Sequence, residues 1–176
     1  MYYFLAVVFG AVIGSFLNVC IFRMPKEESI VFPASHCPLC QKAIAPLDNI
    51  PMISFLILKG RCRHCAAKIS WQYPLVEILT AGLFVIFYHY FGITAKGIVY
   101  LLFSLALLVE TFIDLRHQII PDEITLPGIA IGLMVSALFP GFHGESLWWM
   151  GLLKSLTGML IGGDFFMQPG LSLSGF

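Results

Sequence analysis

Charge is what this chain has least of. Only 11% of its 176 residues are Asp, Glu, Lys or Arg, where a soluble globular chain carries about 25%. Ten basic residues balance ten acidic ones, so the net charge is zero. That balance gives no general attraction to nucleic acid or to an acidic partner. The chain also lacks internal repeats and low-complexity tracts. Its first apolar stretch has neither a basic start nor an A-x-A-like cleavage site, both of which a secretory signal needs. The basic residues come after it, at Arg23 and Lys26, so the stretch reads as an uncleaved membrane anchor.

What fills the chain instead is apolar. Hydrophobic residues make up 59%, and the mean hydropathy is +0.89. A soluble chain this small cannot bury so much. Five apolar segments stand out, at residues 1–22, 75–91, 98–113, 124–139 and 148 to about 167. About 20 residues are needed to span a bilayer. Pro127 falls in the first turn of the fourth segment, and Lys154 and Asp164 interrupt the fifth. Trp148 and Trp149 resemble an interfacial anchor. The expected fold is an all-α integral membrane protein with about five transmembrane helices. Residues 1–22 form the first helix, 23–74 a polar loop between helices 1 and 2, and 75–176 the remaining membrane domain.

The loop holds the densest chemistry. Residues 23–74 carry seven basic and three acidic side chains. The positive-inside rule then places this loop in the cytoplasm. The N-terminus, residues 92–97 and residues 140–147 face outward, and residues 114–122 lie on the cytoplasmic side. The loop contains Cys37-Pro38-Leu39-Cys40 and Cys62-Arg63-His64-Cys65, with 21 residues between the pairs. A cytosolic setting keeps these thiols reduced. Four thiolates at this spacing predict a closed structural Zn²⁺ site at Cys37, Cys40, Cys62 and Cys65. No histidine replaces a cysteine to leave a catalytic position open. His36 and His64 flank the ligands, and Cys20 in the first segment reads as a small buried hydrophobe.

Polar groups near a membrane are costly, so each one is a functional candidate. Asn18 is expected to make an interhelical hydrogen bond beside small packing residues. Glu77 is either an interfacial carboxylate or the partner of a basic loop residue. Glu110 lies one turn before Asp114, on the same helix face. Asp114 ends an apolar helix and opens the loop 114–122. It can act as a catalytic carboxylate, since paired acids sharing a proton activate water. Equally, it can end the helix and meet Arg116 or the lipid headgroups. Asp122, after Pro121, reads as an N-cap.

Several stretches together resemble one family. They are Gly14-Ser15-Phe16-Leu17-Asn18-Val19 with Arg23-Met24-Pro25, both cysteine pairs, and Asp48-Asn49-Ile50-Pro51. Further matches are Gly60-Arg61 before the second pair, Ile69-Ser70 and Tyr73-Pro74-Leu75-Val76-Glu77. Last come Ile113-Asp114-Leu115 and Ile119-Ile120-Pro121-Asp122. The chain resembles the bacterial type IV prepilin peptidases, aspartic intramembrane peptidases that also act as N-methyltransferases. The resemblance implies a multi-pass protein of the bacterial inner membrane, with prepilins or pseudopilins as substrates and no nucleic-acid partner. It implies cleavage after a leader glycine at the cytoplasmic face, then methylation of the new N-terminus with S-adenosylmethionine. No Gly-rich S-adenosylmethionine motif of the soluble kind is present, so that cofactor rests on the resemblance.

Asp114 matches the first of the family's two catalytic aspartates. The second lies in a Gly-x-Gly-Asp motif followed by a lysine. Here the nearest string is Ile161-Gly162-Gly163-Asp164-Phe165-Phe166, which lacks the first glycine and the lysine. The tail from Gln168 to Phe176 matches no family motif. The resemblance therefore implies a truncated or frameshifted member. One carboxylate cannot reproduce a two-acid mechanism, so loss of peptidase activity is expected of the isolated chain. A methyltransferase-only fragment and an inert zinc-bearing membrane adaptor are the alternatives.

Overall fold

A computed structural model describes residues 1–144 and 146–167, the side chains of Pro46, His143 and residues 162–167 excepted. Every regular element among them is a helix. In chain order these are α1 (Tyr2–Arg23), α2 (Ile53–Ile57), α3 (Gln72–Phe91), α4 (Ala95–His117), α5 (Asp122–Leu138) and α6 (Trp148–Met167). Short 3-10 turns sit at Met24–Lys26, Pro46–Asn49 and Pro140–His143. The chain divides into two compact units, Met1–Asp122 and Glu123–Phe176.

Among the described residues, three helices are long and apolar enough to cross a membrane, namely α1 with its 3-10 extension, α3 and α4. The 22 residues of α1 reach about 33 Å at 1.5 Å per residue, and a bilayer core is about 30 Å. Their outward faces are bare and apolar. Phe9, Leu102 and Phe103 are each more than half exposed, which suits lipid and not water. The 17 residues of α5 reach only about 26 Å.

In the first unit α1 and α3 run antiparallel in backbone contact. A Cβ added to Gly10 would sit 2.6 Å from the Ala81 Cα, and one added to Gly14 would sit 2.7 Å from the Glu77 Cα. Two glycines four residues apart thus meet two α3 residues four apart in reverse order. Small residues at this spacing let helix backbones touch. At the far end the Tyr3 hydroxyl and His89 Nδ1 share a hydrogen bond of 3.1 Å, and Tyr3 meets Tyr88 edge to face. A short turn through Gly92 returns the chain into α4, whose N-cap Thr94 accepts from the Gly97 N–H at 3.1 Å.

Several helix ends differ from the sequence expectation. Helix α3 begins three residues before Leu75, and α4 runs past Asp114 to His117. Helix α5 starts at Asp122, so Pro127 lies inside the helix and not in its first turn. Apolar runs mark where a helix is buried or lipid-facing. Its polar end turns carry no such mark. In the second unit α6 approaches the end of α5 closely at Gly151, where a Cβ would lie 2.5 Å from the Ser136 carbonyl oxygen.

Candidate functional site

The four cysteines come together. The Sγ atoms of Cys37, Cys40, Cys62 and Cys65 all lie within 4.8 Å of one another, and those of Cys37 and Cys65 are 3.8 Å apart. A tetrahedral zinc with Zn–S bonds near 2.3 Å spaces its sulfurs about 3.8 Å apart. The cluster therefore has the donor set and the size to hold a metal ion.

Each Cys-x-x-Cys pair is built on the same tight turn. The Cys37 N–H donates to the Lys42 carbonyl at 3.0 Å, and the Gln41 N–H donates back to Cys37 at 2.9 Å. In the second pair the Cys62 N–H donates to Ala67 at 2.8 Å, and the Ala66 N–H to Cys62 at 2.9 Å. Gln41 and Ala66, each following the second cysteine of its pair, share left-handed backbones with φ of 57° and 55°. The turns aim backbone N–H groups at sulfur. Those of Cys40 and Leu39 hold the Cys37 thiol below its ordinary range. Those of Cys65 and His64 hold Cys62 down to about 6. For Cys65 the Ala67 N–H pulls downward, but lost hydration and the sulfurs of Cys62, Cys40 and Cys37 push it up to about 11. Cys37 and Cys62 thus favour the thiolate, and gathering four sulfurs this closely calls for a cation.

The loop is tied to the helices at two points, and the two helices to each other at a third. Arg23 is only 6% exposed, and its guanidinium donates to the Ser29 and Pro33 carbonyls at 2.8 Å each. The sequence marks Arg23 as a topology charge, and the structure makes it the anchor of the departing loop. Asn18, 3% exposed, donates to the Tyr73 carbonyl at 3.0 Å and to Gly14 at 3.2 Å. This is the interhelical bond expected of it, from α1 to the first turn of α3. The Glu77 carboxylate accepts the Met52 N–H at 2.7 Å. Its loop partner is thus a backbone N–H and not a basic side chain. Within the loop, Arg63 donates through Nε to Asp48 at 2.7 Å and through a second nitrogen to the other carboxylate oxygen. This paired contact lowers the Asp48 carboxyl and raises the Arg63 guanidinium.

A cavity of about 380 Å³ lies beneath the thiol cluster, lined by Asn18, Cys37, Tyr73, Glu77 and Arg116 among others. The Asn18 Oδ1 is buried with no hydrogen-bond partner among the described residues. Arg116 belongs to the last turn of α4, which places the Asp114 end of α4 at the thiol end of the unit. Asp114 itself is exposed, next to the fully buried Ile113. It lies inside the helix and does not end it. The Gln118 N–H closes the turn on the Asp114 carbonyl at 2.9 Å, with Gln118 in a left-handed cap. Glu110, one turn earlier, is half-buried. The Asp164 side chain and the tail 168–176 lie outside the described residues.

Comparison with known proteins identifies the family. The bacterial peptidase A24 N-terminal domain matches residues 8–91. The type IV leader peptidase family matches residues 101–172, a stretch that includes both Asp114 and Asp164. A prepilin leader peptidase/N-methyltransferase of Myxococcus xanthus is 44% identical over 73% of this chain and 38% of its own length. A type 4 prepilin-like proteins leader peptide-processing enzyme of Escherichia coli is 38% identical over 90% of this chain and 63% of its own. A prepilin leader peptidase/N-methyltransferase of Neisseria gonorrhoeae is 36% identical over 92% of this chain and 70% of its own. The chain thus spans less than two thirds of the length of the first two of these relatives. No solved structure matches it. With both matched regions and relatives aligned along most of its length, the chain belongs to the type IV leader peptidase family.

Proposed function

We propose that the protein removes the leader from prepilins or pseudopilins and methylates the N-terminus so exposed. The observation that carries this reading is the coverage of both family regions, 8–91 and 101–172. That coverage supports two activities over a methyltransferase-only fragment or an inert adaptor. The names of the Myxococcus and Neisseria relatives join leader peptidase and N-methyltransferase.

In this reading Asp114 is one of two acids. An ionised carboxylate accepts a proton from water as it attacks the scissile carbonyl, and a protonated partner donates to that carbonyl oxygen. Its site at the end of a membrane-length helix suits a substrate whose cleavage point lies at the membrane face. S-adenosylmethionine would supply the methyl group. Cys37, Cys40, Cys62 and Cys65 would hold Zn²⁺ as a scaffold, since four sulfur ligands leave no open position. The bilayer placement comprises five membrane helices, with residues 23–74 and 114–122 at the cytoplasmic face of the inner membrane. The basic loop supports this orientation.

A methyltransferase-only reading has one observation in its favour. The string Gly162-Gly163-Asp164 departs from the family's second acid motif. The deciding assay supplies membranes carrying the protein with a prepilin and S-adenosylmethionine, and reads the products by mass spectrometry. Leader release with a singly methylated new N-terminus is expected. Methylation of a pre-cleaved pilin without leader release would replace the proposal with the narrower reading.

A further inference from the structure

Helix α2 has no part in the catalytic reading. Its sequence is Ile53-Ser54-Phe55-Leu56-Ile57, and Ile53, Leu56 and Ile57 are 54%, 71% and 69% exposed. Trp71, next to the start of α3, is 75% exposed and packs on Phe55 with ring centroids 4.8 Å apart. Side chains this large and apolar, grouped and bare, mark a surface that something covers.

We propose that α2 and Trp71 are seated in the lipid boundary, as an apolar step of the thiol loop that dips beside α3. The occupant of this surface is lipid. The inference rests on the membrane placement of α1, α3 and α4 proposed above. Depth is the first argument. Met52, the residue before α2, is hydrogen-bonded to Glu77. Glu77 lies five residues into α3, about 7.5 Å along the helix from its start. It faces Gly14, nine residues before the end of α1 and so about 13 Å inside it. Helix α2 therefore begins below the helix ends and not above them.

Backbone closure is the second argument. A segment in hydrocarbon has to satisfy its own N–H groups. Here Ser54 donates to Ile50, Leu56 to Met52, Leu58 to Ser54, Lys59 to Leu56 and Gly60 to Phe55, at 2.9 to 3.1 Å. The Ser54 hydroxyl is turned back onto the Ile50 carbonyl at 2.6 Å, and the Met52 N–H is taken by Glu77. Charge is the third. Exposed Lys59 and Arg61 follow α2 directly, and exposed Lys68 precedes Trp71. Cations and an indole beside an apolar step are what an anionic headgroup layer favours.

The test uses single-tryptophan reporters in the full chain. Trp71, Trp148 and Trp149, the three native tryptophans, are changed to Phe. One tryptophan is then introduced as Leu56→Trp, as Ile57→Trp, or as Leu102→Trp on the exposed face of α4. Each protein is reconstituted in phosphatidylcholine and phosphatidylglycerol vesicles with brominated acyl chains. Lipid bromine is expected to quench Leu56→Trp and Ile57→Trp about twofold or more, with acrylamide access cut by a similar factor relative to free tryptophan. Two reporter positions guard against one that disturbs the loop. Acrylamide access without bromine quenching at both positions places α2 in water and overturns the proposal. Quenching by neither agent means that protein covers it, from a second copy or a partner, and overturns it equally. Failure of bromine to quench Leu102→Trp removes the membrane reading itself. Quenching at Leu102→Trp but not at α2 removes only this inference.

Discussion

Two glycines and two left-handed residues set the geometry of the loop-bearing end. Gly10 and Gly14 have no room for a Cβ against the α3 backbone. Overpacking a filled interface costs about 1–3 kcal/mol, so Gly14→Val should lower unfolding stability in detergent by that amount or more. An unchanged unfolding midpoint would mean that α1 and α3 do not touch there. Gln41 and Ala66 hold left-handed backbones that only glycine adopts without strain. Gln41→Gly and Ala66→Gly should leave thermal stability unchanged or raise it, by at most about 1 kcal/mol. A clear loss at both would contradict the shared turn. Each of the four cysteines is equally needed for a closed site. Replacement of any one by Ser should reduce bound zinc, measured by metal analysis of the purified protein, and the same loss on Cys20→Ser would argue against the assignment.

The loop's attachment to the helices is settled at the level of elements. Helix α3 contributes Glu77, which takes a backbone N–H from the loop, and Tyr73, whose carbonyl is held by Asn18 of α1. Removing the acceptor from a part-buried N–H costs about 1–3 kcal/mol. Glu77→Ala should therefore speed protease cleavage within residues 46–60, while Glu77→Gln, which keeps an acceptor, should behave close to the native protein. Equal cleavage rates for Ala and Gln would show that the bond does not hold the loop. Much of this end was legible beforehand. The Cys-x-x-Cys spacing announces its cluster because metal geometry fixes both the residue type and the separation. Asn18 was legible because an amide in an apolar helix has few places to bond. Glu77's partner was not, since a backbone N–H has no side-chain signature. Helix α2 was also hidden. Five residues are too few for periodicity to speak, and the flanking Pro51 and Lys59-Gly60 read as loop. The bonding role of Arg23 was not legible either, because a basic residue after an apolar run already fits the topology rule and its carbonyl partners have no side-chain signature.

At the scale of the whole molecule, the four cysteines and the Asp114 end of α4 share one end of the first unit. The thiol cluster, the cavity beneath it and the last turn of α4 lie together, and the family regions run across both halves of the chain. The helical architecture was legible from the scarcity of charge together with apolar runs of near-spanning length. The number of spans was less so, since α5 at 17 residues falls short of the bilayer core, and among the described residues three helices meet the full length and apolarity. The account assigns leader cleavage to Asp114 and structural support to the cysteines, so the two should separate on substitution. Leader release from a prepilin, compared between the native protein and Asp114→Asn, tests this most directly. Loss of an essential acid slows such a step by about 10²–10⁴-fold. The account predicts release by the native protein, a fall of that order in the variant, and unchanged metal content in both. Equal release by the two proteins, or release by neither, would contradict it.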